Sequence, residues 1–187
     1  MDNVNYIRLE PVQAPEYEPI TLDEAKTHLR VDSEYEDAYI SSLLTVARDE
    51  AESYTRRRFG DQIVDVYYEH FKPLRLLGCG VVQDVEIYFR GEQGDWTLIE
   101  PEKYELVRAV PAFIEYHRDF SEPIHKDWYE MVKVSVSCGE PMPATVKQWC
   151  LLRIGTLYEN RVADADRPAK PQPFALELLN THKIFDY

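Results

Sequence analysis

The feature that most constrains the fold of this chain is the helical pattern of residues 21–59. Thr21 is followed three residues later by Glu24, and this spacing is typical of a capping box, in which each side chain bonds the backbone N–H of the other residue. Ser33 and Glu36 repeat the spacing after a turn. Two capping boxes in close succession predict two consecutive helices, a short one and a longer one.

The second helix is predicted over residues 34–58, which corresponds to roughly 37 Å at about 1.5 Å per residue. Acidic residues lie in its first turn and three arginines in its last turn, an arrangement that the helix dipole favours. Gly60 is the predicted stop. Apolar side chains recur at steps of three and four residues and predict one buried face: Ile40, Leu43, Leu44, Ala47, Ala51 and Tyr54.

Beyond Gly60 the pattern changes from helical to alternating, which is typical of strands. Glycine and proline residues separate the alternating segments, and short strands with tight turns predict an antiparallel sheet. The predicted strands are residues 62–71, 84–90, 96–99, 104–108, 112–117 and the segment that contains Val132, Val134 and Val136. Pro143 then suits the first turn of another helix, with Val146, Cys150, Ile154 and Leu157 at helical spacing.

These segments predict an α+β protein. A helical core, with a long central helix and shorter helices, carries an inserted antiparallel β-rich subdomain and ends in a tethered C-terminal tail. The predicted parts are an N-terminal arm (1–20) with strand character at residues 6–9, the helical core (21–60 and 140–160), the β-rich insertion (61–139), a linker (161–173) and the C-terminal docking segment (174–187). The linker is rich in proline and charge, as flexible tethers are.

The C-terminal tail concentrates large apolar side chains behind that linker. They are Phe174, Leu176, Leu178, Leu179, Ile184, Phe185 and Tyr187. Apolar groups at a mobile terminus gain little free energy unless they dock on a surface. We therefore expect the tail to be loosely packed in a free subunit and to bind a partner.

A formal net charge of −13 limits the partners of the chain. Residues 1–60 hold 13 acidic against 7 basic side chains, residues 61–139 hold 15 against 8, and residues 140–187 hold 6 of each. An acidic surface repels the phosphate backbone, so sequence-independent DNA binding is not expected. No segment has the ~18 unbroken apolar residues of a membrane span and no secretory signal begins the chain, which predicts a cytoplasmic protein with three reduced cysteines.

Residues with catalytic or ligand-binding chemistry do not form a convincing group, so we predict no catalytic, cofactor-binding or metal-binding site and no enzymatic activity. His117 and His125 lack the spacing of metal ligands. Asp61 and Asp65 are expected to be solvated on one edge of a strand. Cys79, between two glycines, is expected to be the most exposed thiol, but no neighbouring base activates it.

Three stretches of this sequence resemble the adaptor proteins of the head–tail connector in long-tailed bacteriophages, which are also described as putative DNA-packaging proteins. The first stretch consists of ITLDEAKTHLRVD and EDAYISSLLTVARDEAESYTRRRF. The second consists of VQDVEIYFRGEQGDWTLIEPEKYELV and VKVSVSCGEPMPATVKQW. The third consists of LYENR and ALELLNTHKIF. Together they cover nearly everything after the N-terminal arm.

The resemblance implies a structural role in the virion, with assembly in the host cytoplasm. Subunits of such an adaptor would form a ring beneath the portal protein and match the portal's twelve-fold symmetry. They would dock their C-terminal segments on the portal. A tail-side stopper or tail terminator protein would bind below, and DNA would pass without specific binding. Alternatives are a head-completion or stopper protein of the same neck, and a packaging-associated nuclease.

The arginine cluster of Arg56, Arg57 and Arg58 has several possible contacts: DNA phosphate, a neighbouring acidic surface or solvent. Basic groups in a DNA channel would add salt-sensitive attraction at every subunit and hold the genome in place. We therefore predict that the cluster faces the acidic groups of a neighbouring subunit.

Overall fold

The computed structural model describes residues 6–71, 74–121, 129–160 and 173–185, with side chains in the last segment from residue 175 onward. Its helices are α1 (Leu22–Leu29), α2 (Asp37–Thr55), α3 (Ala144–Glu159) and α4 (Pro173–Asn180). Its strands are β1 (Tyr6–Gln13), β2 (Gln62–Tyr68), β3 (Leu74–Arg75), β4 (Val82–Arg90), β5 (Trp96–Leu98), β6 (Tyr104–Val107), β7 (Phe113–Tyr116) and β8 (Val132–Cys138). The predicted α+β class is confirmed. Residues 161–172 of the predicted linker lie outside the described residues.

The helices form one module, with α2 packed against the other three. Ala47 and Ala51 are fully buried, and the Sγ atom of Cys150 in α3 lies 3.6 Å from the carbonyl oxygen of Ala47. Small side chains here allow α2 and α3 to approach closely. The buried residues of this core are Ile20, Ala25, Ile40, Leu43, Leu44, Ala47, Ala51, Phe59, Val146, Trp149, Cys150, Ile154 and Leu179. No helix in the described part of the chain is long and apolar enough to cross a bilayer.

The first predicted capping box is confirmed. The Thr21 hydroxyl accepts a hydrogen bond from the Glu24 N–H at 3.2 Å, and the Glu24 carboxylate accepts one from the Thr21 N–H at 2.9 Å. The same carboxylate binds the Lys147 ammonium group of α3 at 2.6 Å. The Lys147 contact lowers the pKa of Glu24. One side chain therefore caps α1 and links it to α3.

The second predicted capping box is wrong. Ser33 caps only a single 3₁₀ turn, Glu34–Glu36, and α2 begins at Asp37 without a side-chain cap. The Glu36 carboxylate does not return to the backbone of Ser33 because it accepts a hydrogen bond from the Tyr158 hydroxyl of α3. A tertiary contact has replaced the local one.

The helix α2 ends at Thr55, before the predicted stop at Gly60. Its 19 residues span about 28 Å instead of the predicted 37 Å. Arg56 adopts the left-handed conformation at φ 58°, and its N–H donates to the carbonyl oxygen of Glu52 at 2.8 Å. This early turn brings Phe59 into the helical core, where it is fully buried.

The strands form two antiparallel sheets that share a second apolar core. The larger sheet has the order β1-β2-β8-β4-β5, and the smaller one has the order β3-β7-β6. In the central strand β8, Val134 pairs with Val66 of β2 and with Ile87 of β4. Val132, Val134 and Val136 are all 0% exposed, so the predicted alternation is confirmed. The smaller sheet contributes Leu74, Tyr104 and Ile114 to the same core.

The N-terminal arm is part of both modules. Its strand β1 forms the edge of the larger sheet and is longer than the predicted segment of residues 6–9. Farther along, the Glu18 carboxylate accepts hydrogen bonds from Arg48 Nε at 2.8 Å and from Thr45 Oγ1 at 2.8 Å, both on α2. The described part of the arm therefore runs from the β-rich module to the helical module and contacts both.

Candidate interaction surfaces

The two modules meet where the chain enters and leaves the β-rich insertion. The two segments that connect the modules lie side by side. The Gly60 N–H donates to the Glu140 carbonyl at 3.0 Å, and the Glu140 N–H donates to the Arg58 carbonyl at 3.1 Å. A Cβ atom on Gly139 would lie 2.1 Å from the Gly60 carbonyl oxygen. Only glycine permits this close approach. We call this region the module junction.

Glu52, near the end of α2, is the buried carboxylate of the module junction, and its side chain is 0% exposed. Its Oε1 accepts hydrogen bonds from the Phe59 N–H at 2.8 Å and from Gln62 Nε2 at 2.6 Å. Its Oε2 accepts one from Arg58 Nη1 at 2.9 Å, and Arg48 Nη1 lies 3.4 Å away. A buried charge is tolerated when it is paired and hydrogen-bonded, so this one carboxylate joins α2, the crossing segment and β2.

The three arginines predicted to face a neighbouring subunit differ in their surroundings. Arg58 binds Glu52 in the module junction. Arg57 donates to the Glu140 carboxylate and to the carbonyl oxygen of His182, both at 2.6 Å. Arg56 is exposed. The inter-subunit role of the cluster stays a prediction, and Arg57 and Arg58 already have partners inside the chain.

The C-terminal tail packs on its own subunit, which corrects the expectation of a loosely packed tail. Leu179 is 0% exposed and Ile184 is 7% exposed, both against the helical module. The Ile184 N–H donates to the Thr55 carbonyl at 2.9 Å, and the Tyr54 hydroxyl donates to Asn180 Oδ1 at 2.6 Å. The free end of α2 offers the tail an apolar surface and an unpaired carbonyl group, so the tail docks there.

The other predicted docking residues of the tail differ in exposure. Leu176 and Leu178 are half-buried, and Leu178 packs against the helical core. Phe185 is 53% exposed. The side chain of Phe174 and the whole of Tyr187 lie outside the described residues. Docking of the tail on a portal protein stays a prediction, and in this conformation Phe185 is the large apolar group that the described tail exposes most.

The outer face of the larger sheet carries stacked aromatic and basic side chains. Arg8 lies 3.7 Å from the ring centre of Tyr67, and Arg90 lies 4.5 Å from the ring centre of Trp96. Such a face would suit single-stranded nucleic acid if its cations were free. They are paired instead: Arg8 binds Glu130 at 2.7 Å, and this contact raises the pKa of Arg8. Glu130 also pairs with Arg90, Glu10 pairs with Arg8, and Asp65 pairs with Lys133.

The cysteines are buried, which corrects the expectation of an exposed Cys79. Cys79, Cys138 and Cys150 are all free thiols with no exposed surface. A hydrogen bond with Cys138 and burial raise the pKa of Cys79 well above its ordinary value. Burial raises the pKa of Cys150 to about 12. Within the described residues, no three His, Cys, Asp or Glu side chains are grouped so that they could hold a metal ion.

The described surface carries paired charges and a few exposed aromatic residues, and two apolar cores lie beneath it. This combination suits a structural protein with protein partners. The predicted resemblance to the connector family is confirmed over one segment of the chain. Residues 19–75 match the family of phage gp6-like head–tail connector proteins. This segment contains α1 and α2 and the first two strands of the insertion, β2 and β3.

Solved structures share the fold of the whole chain. A chain from the neck of an empty gene transfer agent particle, computed with C6 symmetry, matches with a TM-score of 0.78 and 18% identity over 97% of both chains. A chain from the neck of the native particle, computed with C12 symmetry, has a TM-score of 0.75 at 18% identity and the same coverage. A chain from the native virion has a TM-score of 0.73 at 17% identity and the same coverage. None of the curated proteins compared with the chain matches it.

Proposed function

We propose that the chain is a structural adaptor of a phage head–tail connector. It forms a ring beneath the portal, joins the DNA-filled head to the tail-side neck proteins, and lets DNA pass. The observation that carries this proposal is the agreement between two independent comparisons. The segment 19–75 matches the connector family, and the fold of the chain matches a neck chain over 97% of both chains.

The ring is supported by the symmetry of a similar structure. The neck of the native gene transfer agent particle was computed with C12 symmetry, and its chain shares this fold. A twelve-fold ring of the present chain would match a twelve-fold portal above and offer a matching lower surface to a stopper or tail terminator protein. The protein is then part of the virion, after assembly in the host cytoplasm.

Passage of DNA without specific binding is supported by the charge of the chain. The net charge is −13, and the basic side chains on the outer face of the larger sheet are paired with carboxylates. A protein gains affinity for a duplex when its unpaired cations displace counterions from the phosphates, and the cations described on this face already pair with carboxylates. A structural role without catalysis fits this surface.

The test of the proposal is a particle that lacks this protein. We expect heads that package DNA but carry no tails, and we expect the purified protein to restore tail attachment when it is added to those heads. Normal tailed particles without the protein would overturn the proposal. The order of addition separates an adaptor from a stopper: an adaptor binds portal-containing heads directly, whereas a stopper binds only after another neck protein.

A test of the proposed contact between the tail and the portal requires a variant that leaves the subunit folded. Phe185→Ser changes an exposed side chain, and we expect it to weaken binding to portal-containing heads while the melting temperature stays unchanged. Tyr129→Ser is the matched control because Tyr129 is 71% exposed on the other module. Equal binding by both variants would remove Phe185 from the portal contact.

A further inference from the structure

The segment at the N-terminal end of α2 presents an exposed aromatic side chain that follows two carboxylates in the sequence. Tyr35 is 95% exposed, and Asp32 and Glu34 beside it are exposed as well. Neighbouring acidic groups have partners, since Asp37 binds Lys26 at 2.6 Å. In the described part of the chain no cation lies within ion-pair distance of Asp32 or Glu34. We call Asp32, Glu34 and Tyr35 the acidic tip.

The C-terminal end of α2 lines a hollow with the opposite charge. The hollow measures about 460 Å³, and its walls are Glu50, Ser53, Tyr54, Arg56 and Lys183. The charge of Glu50 is already balanced, because Arg153 binds it through two hydrogen bonds of 2.6 and 2.8 Å. No carboxylate in the described residues forms an ion pair with the two remaining cations of the hollow. We call this surface the basic hollow.

Tyr54 gives the basic hollow an aromatic surface, which favours a binding partner that carries both an aromatic ring and a negative charge. The Lys183 ammonium group lies 4.8 Å from the ring centre of Tyr54, and the Tyr54 hydroxyl is fixed by its hydrogen bond to Asn180. Arg56, held in its left-handed turn, is exposed at the edge. A tyrosine with two carboxylates close to it in the sequence would bury its ring against Tyr54, and the carboxylates would pair with the two cations.

We propose that the acidic tip of one subunit docks in the basic hollow of the next copy of this chain. The two surfaces lie at opposite ends of the 19-residue helix α2, about 28 Å apart, so neither can reach the other within one subunit. A contact between two different surfaces of identical chains is head-to-tail, and such a contact closes into a ring when its rotation permits. The inference rests on the proposed function, for which it supplies the inter-subunit contact.

The occupant of the basic hollow is a second copy of the chain for reasons of charge and shape. Tyr17 and Tyr129 are also exposed, at 78% and 71%, but Arg48 binds Glu18 beside Tyr17 and Arg8 binds Glu130 beside Tyr129. The acidic tip offers both an aromatic ring and two unpaired carboxylates, which complement the ring and two unpaired cations of the hollow. Of the three arginines predicted to face the acidic groups of a neighbouring subunit, the proposed contact uses Arg56.

Cysteine cross-linking tests the contact in the full-length protein. Asp32→Cys and Ser53→Cys place one thiol at each surface, and the three native cysteines are buried and will not react. With a short bismaleimide, a mixture of the two variants should give a cross-linked dimer, and the double variant should give a ladder of larger oligomers. Each single variant alone should stay uncross-linked, because the contact joins two different surfaces.

Substitutions then measure the contribution of the contact. We expect Tyr35→Ser or Arg56→Glu to raise the protein concentration required for half-assembly about 30-fold, the effect of removing an anchor side chain. Tyr129→Ser should leave assembly unchanged. Combining Glu34→Lys with Arg56→Glu exchanges the charges across each contact and should restore part of the loss.

The outcomes separate the contact from the proposed function. A wild-type protein that forms rings, while the mixture of cysteine variants gives no cross-link, overturns this contact and leaves the adaptor function standing. Cross-linking of either single variant with itself also overturns the contact, since it shows two identical surfaces meeting. A protein that stays monomeric at every concentration and with portal-containing heads overturns both the ring and the contact.

Discussion

Replacing Glu52 by alanine is the most direct test of how the two modules are held together. The substitution removes the acceptor of two hydrogen bonds, from the Phe59 N–H and the Gln62 amide, and the partner of the Arg58 guanidinium group. Arg58 is 16% exposed and loses its only carboxylate among the described contacts, whereas Arg48 keeps Glu18. Removing one member of a buried ion pair typically costs about 3–5 kcal/mol, so we expect a loss of that size in the free energy of unfolding.

Urea unfolding followed by circular dichroism measures this loss as a lower midpoint. The matched control is Glu50→Gln on the same helix, since Glu50 binds Arg153 but its side chain is 37% exposed. An exposed ion pair contributes at most about 1 kcal/mol, so the control should lie close to the wild type. If Glu52→Ala unfolds within about 1 kcal/mol of Glu50→Gln, the carboxylate does not hold the junction and our reasoning is refuted.

Three further predictions concern the helical module and the charge of the chain. Ala47→Glu should give unfolded or insoluble protein, because it places an unpaired charge at a fully buried position; a soluble variant with unchanged melting temperature would contradict this. Leu179→Ala should lower the free energy of unfolding by about 2–5 kcal/mol, measured by urea unfolding, since Leu179 is fully buried; no loss would mean that the tail does not dock on its own subunit. The folded protein should show no measurable binding to duplex DNA at physiological salt in a fluorescence anisotropy titration; tight, salt-dependent binding would contradict the proposed passive channel.

A fifth prediction follows from the raised pKa values of Cys79 and Cys150. A thiol reacts as the thiolate. The raised pKa keeps Cys79 and Cys150 protonated and Cys138 is fully buried, so the native protein at pH 9 should not react with iodoacetamide. All three cysteines should react once urea unfolds the chain, because their ordinary pKa lies near 8.5. Mass spectrometry of the alkylated protein counts the reacted thiols. Rapid reaction of one thiol in the native state would show that it is not buried.

The sequence by itself determined the kind of each main element, because these properties are local. The capping box at Thr21 depends on groups three residues apart, and the step of three and four residues in α2 depends only on helix geometry. The alternation of Val132, Val134 and Val136 depends on the pleat of a strand. A resemblance carried by these local patterns was sufficient to predict the fold class and the family whose model matches residues 19–75.

Tertiary structure decided everything that required distant segments to meet. Glu36 does not form the predicted cap because the hydroxyl of Tyr158, far along the chain, donates a hydrogen bond to its carboxylate. The tail was predicted to be loose, but the end of α2 offers Ile184 a carbonyl group and an apolar surface. The hydrogen bonds that Glu52 makes to both modules could not be predicted from the sequence, because a carboxylate on an amphipathic helix normally faces water. Only the packed fold determines which charges are buried with partners and which stay exposed at the two ends of α2, because burial depends on segments that are remote in the sequence.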